Sequence, residues 1–321
     1  MAYTTIKSAN HKNWLASRTG GIGSSEVATL LGVNPWQTPY QLWLAKTGRV
    51  PQVEQENFLM KAGHYLEDAI SKFCADETGL DIIKSSAAEF VVINKEKPFL
   101  RVSPDRYAWL PNSKHSNDNK VIIECKSTQN SIDENDIPKH WFVQVMYQLG
   151  VCELDKATIA WLTQGREFGY KWLEFDEEFY NDVIVAEIER FWIDNVLGGK
   201  EPALMDIQDV LTKYPRHREG LSVDATDELI ETYNELKETN AEIKRLTALK
   251  SAAEEKIKLA MGEAETLVIP ATNDNPQKTL ASWRASKDSE KFDTDLFKTE
   301  NPETYAKYLH TVQGSRRFML R

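Results

Sequence analysis

The sequence has few of the features that mark disulfide-rich, metal-cluster or membrane proteins. Its 321 residues include three cysteines that lie far apart, which indicates neither a disulfide framework nor a four-cysteine cluster. The six histidines form no H-x-x-H or Cys–His pair, which gives zinc little support. No run approaches the roughly 20 apolar residues that cross a bilayer, and the start has no signal-peptide core. We therefore expect a cytoplasmic protein with reduced thiols.

An excess of positive charge is also missing. The formal net charge of -10 argues against a protein that coats nucleic acid along its whole surface, because attraction to phosphates needs a positive field. A local basic channel is still compatible with this charge. The 41% apolar content is sufficient for a real core.

The periodic segments predict an α/β fold in the first part of the chain. Residues 1–200 alternate helical and strand-like patterns, with strands enclosed by helices on both sides. Residues 201–222 contain Pro and Gly, which predicts a connector. Residues 223–321 are predicted to form an accessory module of helices and short strands.

Three helices in the first part have boundaries or faces that the residues predict. "SSEVATLLG" is expected to be a helix capped by Ser24 or Ser25 and closed by Gly32. A later helix covers about residues 138–151. Between them, "ENFLMKAGHYLEDAISKFCADETG" is predicted to be a longer helix with an inward apolar stripe of Leu59, Leu66, Ile70 and Phe73.

Two acids and a lysine occur at the ends of neighbouring strand-like runs. Side chains alternate faces along a strand, so Glu124 and Lys126 point the same way, while Cys125 points into the core and leaves its carbonyl near them. Asp105 comes alongside if "PNSKHSNDN" is the loop of a hairpin. Two carboxylates and a carbonyl oxygen form a site suited to Mg²⁺ or Mn²⁺.

Phosphodiester cleavage needs what this group of residues offers. A divalent metal activates water and neutralises the leaving oxygen, and a cation such as Lys126 holds the attacking water. The alternative is that the same residues are ordinary surface groups near strand ends, because this short pattern arises by chance in many proteins.

Two helices add polar residues to the same hypothesis. "KAGHYLEDAI" places Glu67 where a further carboxylate could bind metal through water. "HWFVQVMYQLG" places Gln144 and Gln148 one turn apart, so that a polar face survives on an otherwise apolar helix.

The segment "SRTGGIGSSEV" indicates a phosphate-binding turn. It combines Arg18, a glycine-rich turn and a helix N-terminus at Ser24 and Ser25. The helices that begin here also have the pattern of a helix-turn-helix, although the second shows few base-reading side chains. In the loop between these helices, Trp36 could stack against a DNA end.

Taken together, these residues resemble the YqaJ-like viral recombinase nucleases, relatives of lambda exonuclease within the PD-(D/E)XK superfamily. The resemblance spans roughly residues 14–180, and its order and spacing are more specific than any single motif. It is carried by Trp14 followed by Arg18, "GIGSSEVATLLGVNPWQTPYQLWLAKTG", the Gly63–Glu67 helix, "SPD" at 103–105, "ECK" at 124–126 and "QVMYQ" at 144–148.

The resemblance implies a mixed central sheet flanked by helices and a metal-dependent 5′→3′ exonuclease that acts on double-stranded DNA ends and leaves 3′ single strands. It further implies a partner annealing protein, a homo-oligomeric ring, and a phage or prophage origin in a bacterial cytoplasm. The implied metal ligands are Asp105, Glu124, the Cys125 carbonyl and Glu67. Lys126 acts on the attacking water, and Gln144 has a positioning role. Arg18, Ser25 and Ser103 bind the 5′-phosphate.

The sequence departs from this family at two points. "KSTQNSIDEND" lacks the phosphate-binding arginine that follows the lysine in lambda exonuclease, and Gln148 stands where related helices often carry Tyr. Two other functions therefore stay open, a structure-selective or nicking endonuclease on the same core and a non-catalytic DNA-binding or scaffold protein.

The last third of the chain lies beyond the part matched to lambda exonuclease. Residues 225–263 show apolar residues near heptad spacing, which is compatible with a helical hairpin or a short coiled coil. The end, "GSRRFMLR", clusters Arg316, Arg317 and Arg321, which suits either phosphate contact or a plain basic tail.

Overall fold

The chain forms two compact units, Met1–Lys213 and Tyr214–Arg321. The second unit begins inside the stretch that the sequence predicts to be a connector. In this computed structural model, the residues described are 2–7, 19–50, 58–83, 90–312 and 314–321.

The first unit is built around two sheets. A five-stranded sheet has the order β2-β5-β6-β7-β8, in which β6 and β7 are parallel and all other neighbours are antiparallel. A smaller antiparallel sheet has the order β1-β3-β4. The strands are β1 (Tyr3–Lys7), β2 (Asp81–Ile82), β3 (Phe90–Asn94), β4 (Arg101–Val102), β5 (Arg106–Trp109), β6 (Lys120–Thr128), β7 (Lys156–Thr163) and β8 (Glu167–Glu174).

Helices cover both faces of the five-stranded sheet. Their ranges are α1 (Ser24–Leu30), α2 (Pro39–Lys46), α3 (Phe58–Thr78), α4 (Lys139–Cys152), α5 (Ala186–Arg190) and α6 (Ile207–Lys213). The apolar face of α4 packs with α1, α2 and Ile122 of β6. On the other face, α3 packs against Val121 and Ile123. The predicted α/β fold, with a mixed sheet flanked by helices, is confirmed.

The start of α1 differs from the prediction that Ser24 or Ser25 caps it. The N-cap is Gly23, and its backbone N–H donates to the Glu26 carboxylate at 2.7 Å. Ser24 is instead the first helical residue and is buried. The predicted helix end is correct, since Gly32 has φ +68°, a conformation that glycine adopts without strain.

The inward stripe predicted for α3 is wrong at two positions. Leu59 is 67% exposed and Phe73 46% exposed, whereas Ile70 and Cys74 are buried against the sheet. Leu66 is partly buried beside them. The contact with the sheet runs from about Leu66 onward, so Leu59 in the first turn lies before it. Phe73 lies at the edge of the contact, where its ring packs on that of Phe168.

The second unit contains one long helix and a hairpin. The helix α7 runs unbroken over 35 residues, Asp227–Met261, and begins at Thr226, whose side chain accepts a hydrogen bond from the Leu229 N–H. The predicted helix is confirmed, and because it is continuous it is not a helical hairpin. The other elements are the antiparallel pair β9 (Thr266–Ile269) and β10 (Lys278–Ser282), α8 (Thr294–Glu300) and α9 (Pro302–Lys307).

None of the described helices combines the length and the apolar composition that spanning a bilayer requires. Even the longest of them, α7, leaves most of its apolar residues between charged ones and exposed to solvent.

Two helical glycines give a matched test of packing. A Cβ at Gly150 would lie 2.2 Å from the Tyr180 ring, whereas a Cβ at Gly63 would meet no atom of the described residues within 4 Å. We expect Gly150→Ala to lower the free energy of unfolding by about 1–3 kcal/mol through overpacking. Gly63→Ala should raise it by up to about 1 kcal/mol through helix propensity. Urea titrations of both variants measure the difference, and equal stabilities would contradict the described packing of α4.

Candidate active site

The β5–β6 hairpin brings Asp105 beside Glu124. The two strands pair with Arg106 opposite Ile123, so the next residue on each side, Asp105 and Glu124, lies at the same level of the sheet. The Cys125 backbone N–H donates to Asp105 Oδ2 at 2.8 Å and fixes that carboxylate against β6. The hairpin predicted from the sequence is confirmed, and it joins the two acids.

Glu124 is the most enclosed residue of the group, with only 2% of its side chain exposed. Lys126 Nζ donates to its Oε1 at 2.7 Å, and Gln144 Nε2 donates to the same oxygen. Gln148 Nε2 donates to Oε2 at 2.8 Å. A carboxylate oxygen has two acceptor sites, so Oε1 is filled and Oε2 keeps one.

Strand and helix periodicity explain why these donors converge. Glu124 and Lys126, two residues apart on β6, face α4, while Cys125 faces α3 and lies in its apolar cluster. Gln144 and Gln148 are one turn apart on α4 and both reach Glu124. Gln148 was not predicted as a site residue, although its spacing from Gln144 was the signal that could have found it.

Lys126 donates two hydrogen bonds within the site. Its Nζ donates to Gln144 Oε1 at 2.9 Å as well as to Glu124. Burial alone lowers the pKa of Lys126, but the charges of Glu124 and Asp105 outweigh it, and the net shift is upward. The ammonium therefore stays charged at neutral pH.

The acids repel one another. Burial raises the pKa of Asp105 well above its usual value, and the neighbouring Glu124 and Glu67 raise it further. Burial also raises the pKa of Glu67, against the opposing hydrogen bond with His64. A cluster of this kind favours a bound cation, since a positive charge relieves the repulsion.

Glu67 lies at the edge of this cluster. Its Oε1 is 2.9 Å from His64 Nδ1, its Oε2 is 3.7 Å from Arg106 Nη1, and its backbone carbonyl accepts from the Cys125 thiol. The helix α3 thus brings Glu67 close to Asp105 but turns its carboxylate toward other partners.

The predicted metal ligands are close together but are not arranged as a finished coordination shell. Across the described ranges, no group of three or more His, Cys, Asp or Glu side chains is placed to hold a metal ion. The physical reason is that Glu124 and Glu67 use their oxygens on Lys126, glutamine, His64 and Arg106.

The chemistry of the site still fits a divalent ion. Asp105, the free acceptor site on Glu124 Oε2 and the Cys125 carbonyl are hard oxygen donors of the kind that Mg²⁺ and Mn²⁺ take. Gln148 Oε1 is a buried acceptor without a hydrogen-bond donor in the described part of the chain, a position that a water molecule can satisfy.

A cavity of about 470 Å³ opens next to Lys126 and Gln144. Its lining is mostly polar and aromatic, and Trp36, 75% exposed, packs edge-on against His140 with ring centroids 5.1 Å apart. The described lining residues are Ser25, Glu26, Ala28, Asn34, Trp36, Gln37, Lys126, His140, Trp141 and Gln144. The site thus has room beside the lysine for a phosphate and part of a nucleotide.

The predicted 5′-phosphate residues are only partly brought to this cavity. Ser25 lines it, but Ser103 is not among its described lining residues. Arg18 and Trp14 lie outside the described residues. The phosphate-binding role of this helix N-terminus stays a prediction. At that end of α1, Glu26 accepts the Gly23 N–H and pairs with Lys46 at 2.7 Å, so an internal carboxylate lies there.

The helix-turn-helix alternative is wrong. The proposed second helix, α2, is built into the core, where Leu42 and Trp43 are each 1% exposed. The Trp43 indole N–H donates to the Asn195 carbonyl at 2.8 Å, which anchors the helix further. None of residues 39–46 is exposed, so α2 has no free face of side chains to present to a DNA groove.

Comparisons with known proteins show sequence similarity over most of the chain. The model of the YqaJ-like viral recombinase domain matches residues 13–155. The protein YqaJ of Bacillus subtilis (strain 168) is 33% identical over 307 residues, which are 92% of this chain and 89% of that protein.

Two solved exonuclease structures are similar to this chain at low sequence identity. An alkaline exonuclease, LHK-Exo, from Laribacter hongkongensis has a TM-score of 0.47 and 15% identity, covering 59% of this chain and 93% of that chain. A phage-related exonuclease from Haemophilus somnus 129PT has a TM-score of 0.37 and 12% identity, covering 56% of this chain and 96% of that chain.

The three thiols are expected to be inert in the folded protein. Cys74, Cys125 and Cys152 are buried and free. Burial raises the pKa of Cys152 to about 12 and also raises that of Cys74, so both stay protonated at pH 8 and are poor nucleophiles. Iodoacetamide at pH 8 should label no cysteine before denaturation and all three after it, as measured by mass spectrometry. Labelling of the native protein at the rate of a free thiol would contradict this.

Proposed function

Because the chain belongs to the YqaJ-like viral recombinase family, we propose that it is a metal-dependent nuclease that degrades one strand of double-stranded DNA from the 5′ end and leaves a 3′ single strand. The observation that carries this proposal is the convergence of Asp105, Glu124 and Lys126. The two carboxylates lie at one level of the sheet, and the Lys126 ammonium binds Glu124 and lines a cavity open to a ligand.

In this proposal a divalent ion, Mg²⁺ or Mn²⁺, is held by Asp105, Glu124 and the Cys125 carbonyl, with Glu67 assisting through water. Such an ion lowers the pKa of bound water and offsets charge on the leaving oxygen. The protein contributes the fixed acids. Gln148 orients Glu124, because its Nε2 donates a hydrogen bond to Glu124 Oε2 at 2.8 Å.

Lys126 contributes the charge that faces the substrate. An ammonium has three N–H donors, and two of them go to Glu124 and Gln144. The third is available to a water or a phosphate oxygen in the cavity that Lys126 lines. Gln144 sets the direction of that donor, because it binds both the lysine and its carboxylate partner.

Recognition of a 5′-phosphate is a second part of the proposal. Ser25 supports it by lining the cavity with Lys126. The roles of Arg18 and Ser103 remain predictions, and no arginine follows the lysine in "KSTQNSIDEND". We also propose that the enzyme works as a homo-oligomeric ring with an annealing protein, in the cytoplasm of a bacterial host.

Strand polarity tests the proposal directly. A linear duplex labelled at either the 5′ or the 3′ end is incubated with Mg²⁺ or with EDTA. We expect early loss of the 5′ label as mononucleotide, retention of the 3′ label on single-stranded product, and no loss of either label with EDTA. Cleavage of a closed circle would indicate the endonuclease alternative, and binding without any cleavage would indicate the scaffold alternative.

Asp105→Asn provides the clearest variant. An asparagine oxygen can still accept the Cys125 N–H, and removing a charge that burial and two neighbouring acids disfavour should leave the free energy of unfolding unchanged or slightly higher. Cleavage should fall about a thousandfold, equivalent to about 4 kcal/mol of transition-state stabilisation. Release of labelled nucleotide and urea unfolding measure the two effects.

Asp118→Asn is the matched control, since Asp118 lies in the exposed loop of the same hairpin. It should change neither quantity. Retained cleavage by Asp105→Asn would remove the site assignment. Glu124→Ala is less informative, because breaking a buried ion pair costs about 3–5 kcal/mol of stability on its own.

A further inference from the structure

Two arginine-bearing segments that are nearly 100 residues apart in sequence meet in the second unit. Pro215, Arg216 and His217 form one wall of a cavity of about 500 Å³, and residues 314–317 form the other. The second wall includes Arg316 and Arg317. The fold thus builds a concave basic pocket, which the linear sequence does not show.

Hydrogen bonds within the second unit hold the C-terminal segment in place. Arg316 Nη1 donates to the Tyr214 carbonyl at 3.2 Å, which ties the two walls together. Beyond the pocket, the Tyr233 hydroxyl on α7 donates to the Arg321 carbonyl at 2.6 Å. The end of the chain is therefore a docked element of the unit, unlike the plain basic tail that the sequence left open.

The described residues that line this pocket include three arginines and a histidine but no acid. In the part of the chain that the structure describes, neither Arg216 nor Arg317 forms an ion pair with a carboxylate. Arginines held close together repel each other, and a phosphate ligand would relieve that repulsion with charge-assisted hydrogen bonds.

An exposed aromatic residue follows the pocket residues in sequence. Phe318, which follows Arg317 directly, is 83% exposed. Positive grooves with exposed aromatic residues are typical of single-strand binding, because the cations track the backbone and the rings stack on unpaired bases. Duplex DNA offers phosphates but no unstacked bases except at its ends.

We propose that the pocket formed by Arg216, His217, Arg316 and Arg317 binds the phosphodiester backbone of single-stranded DNA, with Phe318 stacking on a base. The site is separate from the residues proposed to cleave DNA, and it rests on the proposed function only for the source of the strand. In this way an acidic protein, with a formal net charge of -10, gains a local contact with its product.

The test compares binding of a fluorescein-labelled single-stranded oligonucleotide to the full chain and to R216E/R317E by anisotropy, in EDTA. Arg316 is left intact because it ties the two walls together. Losing two phosphate contacts should weaken binding about 25-fold in 0.1 M salt and reduce the slope of log K against log salt by about 1.4. R216Q/R317Q should show the same loss of slope, and F318A should weaken binding without changing the slope.

K287E/K291E is the matched control, because it makes the same charge change on exposed residues of the same unit. It should bind as the unmutated protein does. If R216E/R317E and K287E/K291E lose the same amount of affinity, the effect comes from net charge and the proposed binding site is overturned. No loss in R216E/R317E would overturn it as well, provided that thermal unfolding shows a folded variant. If R216E/R317E is unfolded, R216Q/R317Q is used instead, and no loss of affinity in that variant overturns the proposal.

A duplex of the same sequence distinguishes the two sources of phosphate. A larger loss on the single strand supports the proposal, whereas an equal or larger loss on the duplex overturns the single-strand assignment. Because EDTA suppresses cleavage, the binding result stands even if the unmutated protein proves to cut no DNA. Failure of the proposed function would instead appear in the end-labelled cleavage experiment.

Discussion

The arrangement of the first unit depends on one enclosed carboxylate. Glu124 lies in the interior between β6 and α4, and the ammonium of Lys126 and two glutamine amides meet its oxygens. An ionised carboxylate in such a place is costly unless it is paired and hydrogen-bonded. Supplying those partners requires α4 to present two polar residues one turn apart, within an otherwise apolar face. The packing of α4 on the sheet and the chemistry of the site are therefore set by the same contacts.

Enclosing several acids in one place lowers the stability of the fold, although the proposed chemistry needs them there. Asp105, Glu124 and Glu67 are brought together although their charges repel, and burial raises the pKa of Asp105 and of Glu67. A fold selected for stability alone would replace such a cluster with apolar residues. Its presence in a core that is otherwise well packed supports a functional role, and a divalent cation is the species that would reduce the repulsion most.

Strand periodicity was sufficient to predict the centre of the site. The two-residue spacing of Glu124 and Lys126 and the turn-rich loop before them predict which residues face α4, and the structure shows that arrangement. Predictions for the start of α1 and for the buried face of α3 failed. The cap formed by Gly23 and Glu26 is a local feature, but the partner of Glu26, Lys46, lies on another helix. The exposure of Leu59 depends on where α3 meets the sheet. Neither of these tertiary facts is visible in local sequence, and the contact of Tyr214 with Arg316 is equally remote.

The unbroken helix α7 also constrains how this chain can change in length. The tail contacts the helix at Tyr233, while the β9–β10 hairpin follows the far end at Met261, about 42 Å away at 1.5 Å per residue. Each inserted residue rotates everything beyond it by about 100° around the helix axis. Related chains should therefore gain or lose residues here in near-whole turns, seven at a time being the best tolerated, or compensate by a matching change in the returning segment.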